Sequence, residues 1–240
     1  MSGHSKFHNI KATKDKADAK RANIFTKIGR EIAVAVKMGG PDPSTNSKLY
    51  DVIAKAKQNN MPNDNIQRSI KKASGETNTE NFEAITYEGY GPDGIAFIVE
   101  CLTDNRNRTA SDVRHLFDKH GGSLGTSGSV LYMFDRKGVI MVEPKQNSTE
   151  EDVMMLALDS GADDVISDED GFVIYTTPEN FHAVTRAFED AGYNIISSEI
   201  EYVSNNMIPL DESKAESINK LKDKLEELDD VQCVYTNADI

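Results

Sequence analysis

The chain has 240 residues, more than one average domain of about 150 residues needs, so two or three compact units are expected. Hydrophobic residues make up 38% and charged residues 28%, and apolar runs such as Ile32 to Val36 and Ile95 to Val99 fall far short of the about 20 residues of a spanning helix. The net charge of −13 divides unevenly: residues 1–75 carry 15 Lys or Arg against 6 Asp or Glu, and residues 76–240 carry 12 against 34. No apolar h-region follows the first lysines, and Cys101 and Cys233 are too few for a disulfide scaffold or zinc cluster. These features exclude a membrane protein and predict a soluble, cytoplasmic one.

Residues 1–13 show no period and are read as an extended basic arm. From about Lys14 to Lys37, Phe25, Ile28, Ile32, Ala35 and Val36 recur at helical spacing. Lys16, Lys20, Asn23, Lys27 and Arg30 step by four and three, forming one polar stripe roughly opposite. Gly39, Gly40, Pro41 and Pro43 stop this helix. Second and third helices are predicted over Ser47 to Asn59 and after Pro62, closing at Ser74 and Gly75. Three such helices suit a small bundle.

After a linker at Gly75 to Glu80, strands are predicted over Phe82 to Gly89 and Ile95 to Thr103, around the hairpin signal Gly91-Pro92-Asp93-Gly94. A helix over Thr109 to His120 and a strand over Ser129 to Phe134 follow. Residues 138–203 then read strand, helix, strand, strand, helix, strand, the order of a ferredoxin-like unit. A last amphipathic helix, Asp211 to Leu228, and a last strand, Val231 to Thr236, have no sheet of their own. Residues 76–135, in turn, have three strands but one helix. Both deficits vanish if 206–240 folds back onto 76–135, making 136–205 an insertion. The expected fold class is therefore α+β: an N-terminal three-helix domain, 1–75, then two α/β-sandwich domains, one ferredoxin-like and inserted into the other.

No nucleotide-binding loop, metalloprotease motif or nucleophile elbow occurs. The Gly-rich stretch Gly121 to Ser129 joins helix to strand, the reverse of a phosphate-cradling order, and reads as a helix C-cap with a loop. His4 and His8 lack a neighbouring carboxylate or Cys, and the run Asp163, Asp164, Asp168, Glu169 and Asp170 lacks calcium-loop spacing. No metal, cofactor or catalytic residue is expected. Lys6, Lys11, Lys14, Lys16, Lys20, Lys27 and Arg30 form the candidate nucleic-acid surface, because a basic segment attracts polyanions. The competing reading is that the same charges dock the basic helices on acidic parts of the chain. Arg106 and Arg108, at a strand end, fit either a further phosphate contact or local pairing with Asp104 and Asp112.

The blocks GHSKFHNIK (Gly3 to Lys11), DAKRANIFTKIGREI (Asp18 to Ile32), NNMPNDNIQRSIKKASGE (Asn59 to Glu76), YEGYGPDGIAFIVECLTDNRNRT (Tyr87 to Thr109) and GGSLGTSGSVLYMFDRKG (Gly121 to Gly138) resemble the YebC/PmpR family. The resemblance implies a three-domain, non-enzymatic regulator of gene expression. Bacterial members are labelled transcriptional regulators with DNA binding. Mitochondrial relatives act as translational activators of cytochrome c oxidase, and some bacterial members help ribosomes through proline runs. Phe7 stands where Trp is frequent, Ala12 where His is, and Ala22-Asn23 where Gly-Lys is. Phe keeps a stacking ring, whereas Asn23 interrupts the basic stripe. The expected partners are DNA or ribosomal RNA, with the ribosome or RNA polymerase as protein partners. The alternative is an enzyme or small-molecule binder with a site between the acidic α/β domains.

Overall fold

A computed structural model describes residues 18–75, 81–168 and 170–239, with side chains from Arg21 onward. Helix α1 spans Asp18–Gly39, α2 Ser47–Gln58 and α3 Asn63–Ala73. Their apolar periodicity converges on one core that includes Ile28, Ile32, Leu49, Val52, Ile66 and Ile70. The turn between α1 and α2 is held by the buried Asn46. Its amide donates to the Ala35 and Gly40 carbonyls at 2.8 Å each, and its oxygen accepts from the Leu49 N–H at 3.0 Å. One side chain thus satisfies the end of α1 and the start of α2 together.

Strands β1 (Glu83–Tyr90) and β2 (Ala96–Thr103) pair antiparallel around the Gly91–Gly94 turn. Helix α4 (Arg106–Lys119) follows, capped by Asn105 and closed at Gly121, whose φ of +76° suits glycine. The expected strand over Ser129 to Phe134 does not form. The third strand of this sheet is the two-residue β3 (Ser123–Leu124), and a short 3-10 turn occupies Leu131–Met133. The reason is a contact distant in sequence: the Glu88 side chain takes the Val130 and Leu131 N–H groups, so they have none to give a ladder. Phe134 instead begins β4 (Phe134–Val142), which extends the predicted strand at Gly138 backwards.

Strand β4 leads into α5 (Glu150–Ser160), β5 (Asp164–Asp168), β6 (Gly171–Thr176), α6 (Phe181–Asp190) and β7 (Ile195–Ser204). The sheet order is β5-β6-β4-β7, antiparallel throughout. That order and the β-α-β-β-α-β sequence make the unit ferredoxin-like. Ile140, Val142 and Ile174 meet Val153, Ala157, Phe181, Val184 and Phe188 of the two helices. Helix α5 starts in a capping box, with Thr149 and Asp152 bonding each other's backbone N–H.

Helix α7 (Glu212–Glu226) and β8 (Val231–Thr236) complete the first sheet, in the order β3-β1-β2-β8. β8 lies antiparallel beside β2, with Val99 opposite Val234 and Glu100 opposite Cys233. Phe97 of β2 meets Phe117 of α4 edge to face at 5.7 Å, and Ile218, Leu221 and Leu225 of α7 are buried. Cys101 is buried and Cys233 half-buried, and neither is in a disulfide. Burial, with Asp230 nearby, pushes the Cys101 thiol up to about 12. The fold is therefore α+β, with three helices ahead of two sheet units and the ferredoxin-like one inserted. Among the described residues, 18–132 with 207–238 cluster as one compact unit and 133–206 as a second, so the helices and the first sheet share a unit.

Candidate nucleic-acid interface

Lys6, Lys11, Lys14 and Lys16 lie outside the described residues, as does the side chain of Lys20 on the first turn of α1. The described part of the stripe does share one face of α1, and that face meets the chain itself. Asn23 donates to the Glu227 carbonyl at 3.0 Å, and the Lys27 ammonium to the Glu226 carbonyl at 2.6 Å. These are the last carbonyls of α7, which have no partner within the helix and carry its negative dipole end. The Asn23 amide makes this bond without a charge. Burial pulls the Lys27 ammonium below its usual range, although Glu226 and Asp229 favour the charged form.

One turn on, Arg30 sits over the Phe82 ring at 5.3 Å and donates to the Leu102 carbonyl at 2.9 Å and to Asp230 at 2.5 Å. Asp230 is the centre of this contact. Its side chain is 8% exposed and also accepts from Arg108 at 2.7 Å and from Thr109 at 2.7 Å. Arg108 reaches Asp104 as well, at 2.9 Å. Burial alone would raise the Asp230 pKa; the bonds from Arg108, Thr109 and Arg30 outweigh it and hold the carboxyl below its usual range. The two carboxylates hold the Arg108 guanidinium more firmly protonated still. A cleft of about 330 Å³ opens over this cluster, with Asp112 and Asp229 on its wall.

Of the pairing expected for Arg108, the bond to Asp104 is present, while Asp112 only lines the cleft. Arg106 is exposed, and its backbone carbonyl accepts from the Tyr87 hydroxyl at 3.4 Å. Sequence reading gave no sign of Asp230. It sits about 200 residues from Arg30, and an Asp-Asp pair ahead of a strand reads as a solvated turn.

The Gly-rich stretch does bind an anion, and the anion is internal. The Glu88 carboxylate accepts from the N–H groups of Gly128, Val130 and Leu131 at 2.6, 2.9 and 2.8 Å. Burial tends to raise its pKa, and the three donors together bring it below the usual value. Tyr90 adds a bond from its hydroxyl to the Ser129 carbonyl at 3.0 Å. A Glu88→Gln substitution places an NH2 where an acceptor is needed. It should destabilise by about 1–3 kcal/mol, with hydrogen exchange accelerated at the Gly128, Val130 and Leu131 amides. Unchanged protection of those amides would contradict this role.

Among the described residues no group of three His, Cys, Asp or Glu side chains is placed to hold a metal, and no helix is long and apolar enough to cross a membrane. Residues 5–76 match the family model "TACO1/YebC protein N-terminal domain", and residues 82–238 match "TACO1/YebC second and third domain". A relative from Acetivibrio thermocellus, named "Probable transcriptional regulatory protein", is 57% identical over 238 residues, covering 99% of this chain and 98% of that one. One from Hathewaya histolytica with the same designation is 53% identical, covering 100% and 97%. The crystal structure of a conserved hypothetical protein from Aquifex aeolicus superposes with a TM-score of 0.82 at 46% identity, over 94% of this chain and 93% of that one. With both models matched in order along one chain, and with relatives similar from end to end, the protein belongs to the TACO1/YebC family, whose bacterial relatives carry the name of transcriptional regulators.

Proposed function

We propose that the protein is a non-enzymatic, cytoplasmic regulator of gene expression that holds nucleic acid through its basic N-terminal segment. The observation that carries this reading is the opposition of charge along the chain, a surplus of nine positive charges in residues 1–75 against a deficit of twenty-two after them. Lys27 and Arg30 are engaged with α7 and Asp230, which leaves Lys6, Lys11, Lys14, Lys16 and Lys20 as the candidate lysines ahead of that contact. Arg106 is a further candidate on the exposed start of α4. Arg108 would have to leave two carboxylates to serve.

The acidic remainder is repelled by any long uniform polyanion, and over a Debye length of about 8 Å the repulsion is not fully screened. Contact by a short segment favours an irregular phosphate surface such as folded ribosomal RNA, read by shape, over a duplex lined along its length. Transcriptional names among the relatives favour DNA; the charge division favours RNA at least as strongly.

The test changes Lys6, Lys11, Lys14 and Lys16 to Gln and leaves the α1–α7 contact intact. Each lysine–phosphate pair removed should flatten the log–log salt dependence by about 0.9 on duplex DNA or about 0.7 on a single strand. Affinity at low salt should fall accordingly. Wild-type affinity with an unchanged salt slope would overturn the assignment. Sedimentation of lysate through a sucrose gradient at low salt separates the targets: exclusion from ribosomal fractions, with retention on one promoter fragment over random DNA, would favour DNA.

A further inference from the structure

A second surface lies on the ferredoxin-like unit and is of opposite character. Helix α5 buries Val153 and Ala157 against its sheet, yet Met154, Met155 and Leu158 are 43%, 64% and 74% exposed. At about 100° per residue, Leu158 falls one turn along from Met154 and between it and Met155, so the three form one patch. Glu151 and Asp159, both exposed, flank it on the same helix. The stretch of chain that carries it is acidic: between Lys145 and Arg186, residues 146–185 hold ten Asp or Glu and no Lys or Arg.

We propose that this face of α5 docks a lysine- or arginine-rich amphipathic helix of a protein partner. The apolar centre supplies area to bury, and methionine side chains repack around varied apolar surfaces. The acidic surroundings choose among the possible occupants. They repel phosphate, and they repel the same acidic patch on a second copy of the chain. A cationic rim around an apolar stripe is the complement that both features accept. The inference is independent of where nucleic acid binds, because it involves no residue of the basic segment.

The full-length protein, labelled at the methionine methyl groups, is titrated with a synthetic Leu/Lys amphipathic helix and followed by NMR. The Met154 and Met155 methyl resonances should shift, and binding should weaken with salt. The decisive variant is Met155→Glu with Leu158→Glu. If attraction were purely electrostatic, the two added negative charges would tighten binding; on this proposal affinity falls at least about tenfold. Both positions are exposed, so the variant should keep the wild-type melting temperature. Met155→Gln with Leu158→Gln gives the same loss without altering charge. Equal or tighter binding by the Glu variant, or unshifted methyls, overturns the proposal. So does self-association on sedimentation, or retention of an RNA oligonucleotide, that these substitutions abolish.

Discussion

Replacing Asp230 with alanine should lower the free energy of unfolding by about 3 kcal/mol, because removing one partner of a buried ion pair leaves the other uncompensated. The substitution strips an acceptor from Arg30, which is 16% exposed at its side chain, and from Arg108 and Thr109. Urea denaturation measures it, and a loss below about 1 kcal/mol, the range of an exposed pair, would show the cluster to be ornamental. In the Asp230→Ala background, Arg30→Ala should cost far less than it does in the wild type, since the two share one interaction. The pH dependence has a fixed sign. The folded-state pKa of Asp230 is depressed, so its contribution is complete above the ordinary carboxylate range near pH 4 and is lost as pH falls through the lowered value. Wild-type and variant stabilities should therefore converge in acid.

The second large effect is expected from two deletions with opposite outcomes. The ends of the inserted unit meet: the Asn205 N–H donates to the Met133 carbonyl at 3.0 Å, and Phe134 lies opposite Ser204 in the β4–β7 ladder. Excising residues 134–204 and joining the ends with a short Gly/Ser linker should leave a soluble remainder that unfolds cooperatively. Ending the chain at Ser204 should not. That truncation removes β8 from beside β2 and takes away Ile218, Leu221 and Leu225, exposing the sheet face that holds Phe97. It should aggregate, or show in calorimetry the transition of the inserted unit alone, with that of its host lost. A cooperative transition of the host persisting in the truncated chain would contradict the part assigned to α7 and β8.

The element pattern was legible because it is written locally. Val231 to Thr236 is a strand to the residue, and α2 and α3 fall within a residue or two of their expected spans. The pairing of β8 with β2 was legible through a mismatch, a helix and strand without a sheet beside a sheet short of a helix. Periodicity placed Asn23, Lys27 and Arg30 on one face, and they share one. What a face meets is not encoded in its period. A polar stripe opposite an apolar one suits solvent, phosphate and the end of another helix equally, and here the described part of it meets α7. Glu88 was hidden for a related reason. Its donors lie 40 residues or more along the chain, and a glutamate within a strand looks like any solvent-facing position. The missing strand at Ser129 follows directly, since Glu88 consumes the N–H groups it would have used.

The meeting of the insert's two ends also orders events as the chain emerges from the ribosome. The host sheet cannot be finished until β8, its last-made strand, arrives some 130 residues after β2. The insert needs nothing later than Ser204, and its strands pair at much shorter separation. Local contacts form faster than distant ones, so the ferredoxin-like unit should be complete while its host still waits with an open edge on β2. Once folded, it holds Met133 beside Asn205, and the segment that must close for β8 to find β2 shrinks to the few dozen residues outside it. The insertion thus acts as a clasp in nascent-chain folding, drawing together the two halves of the sheet it interrupts.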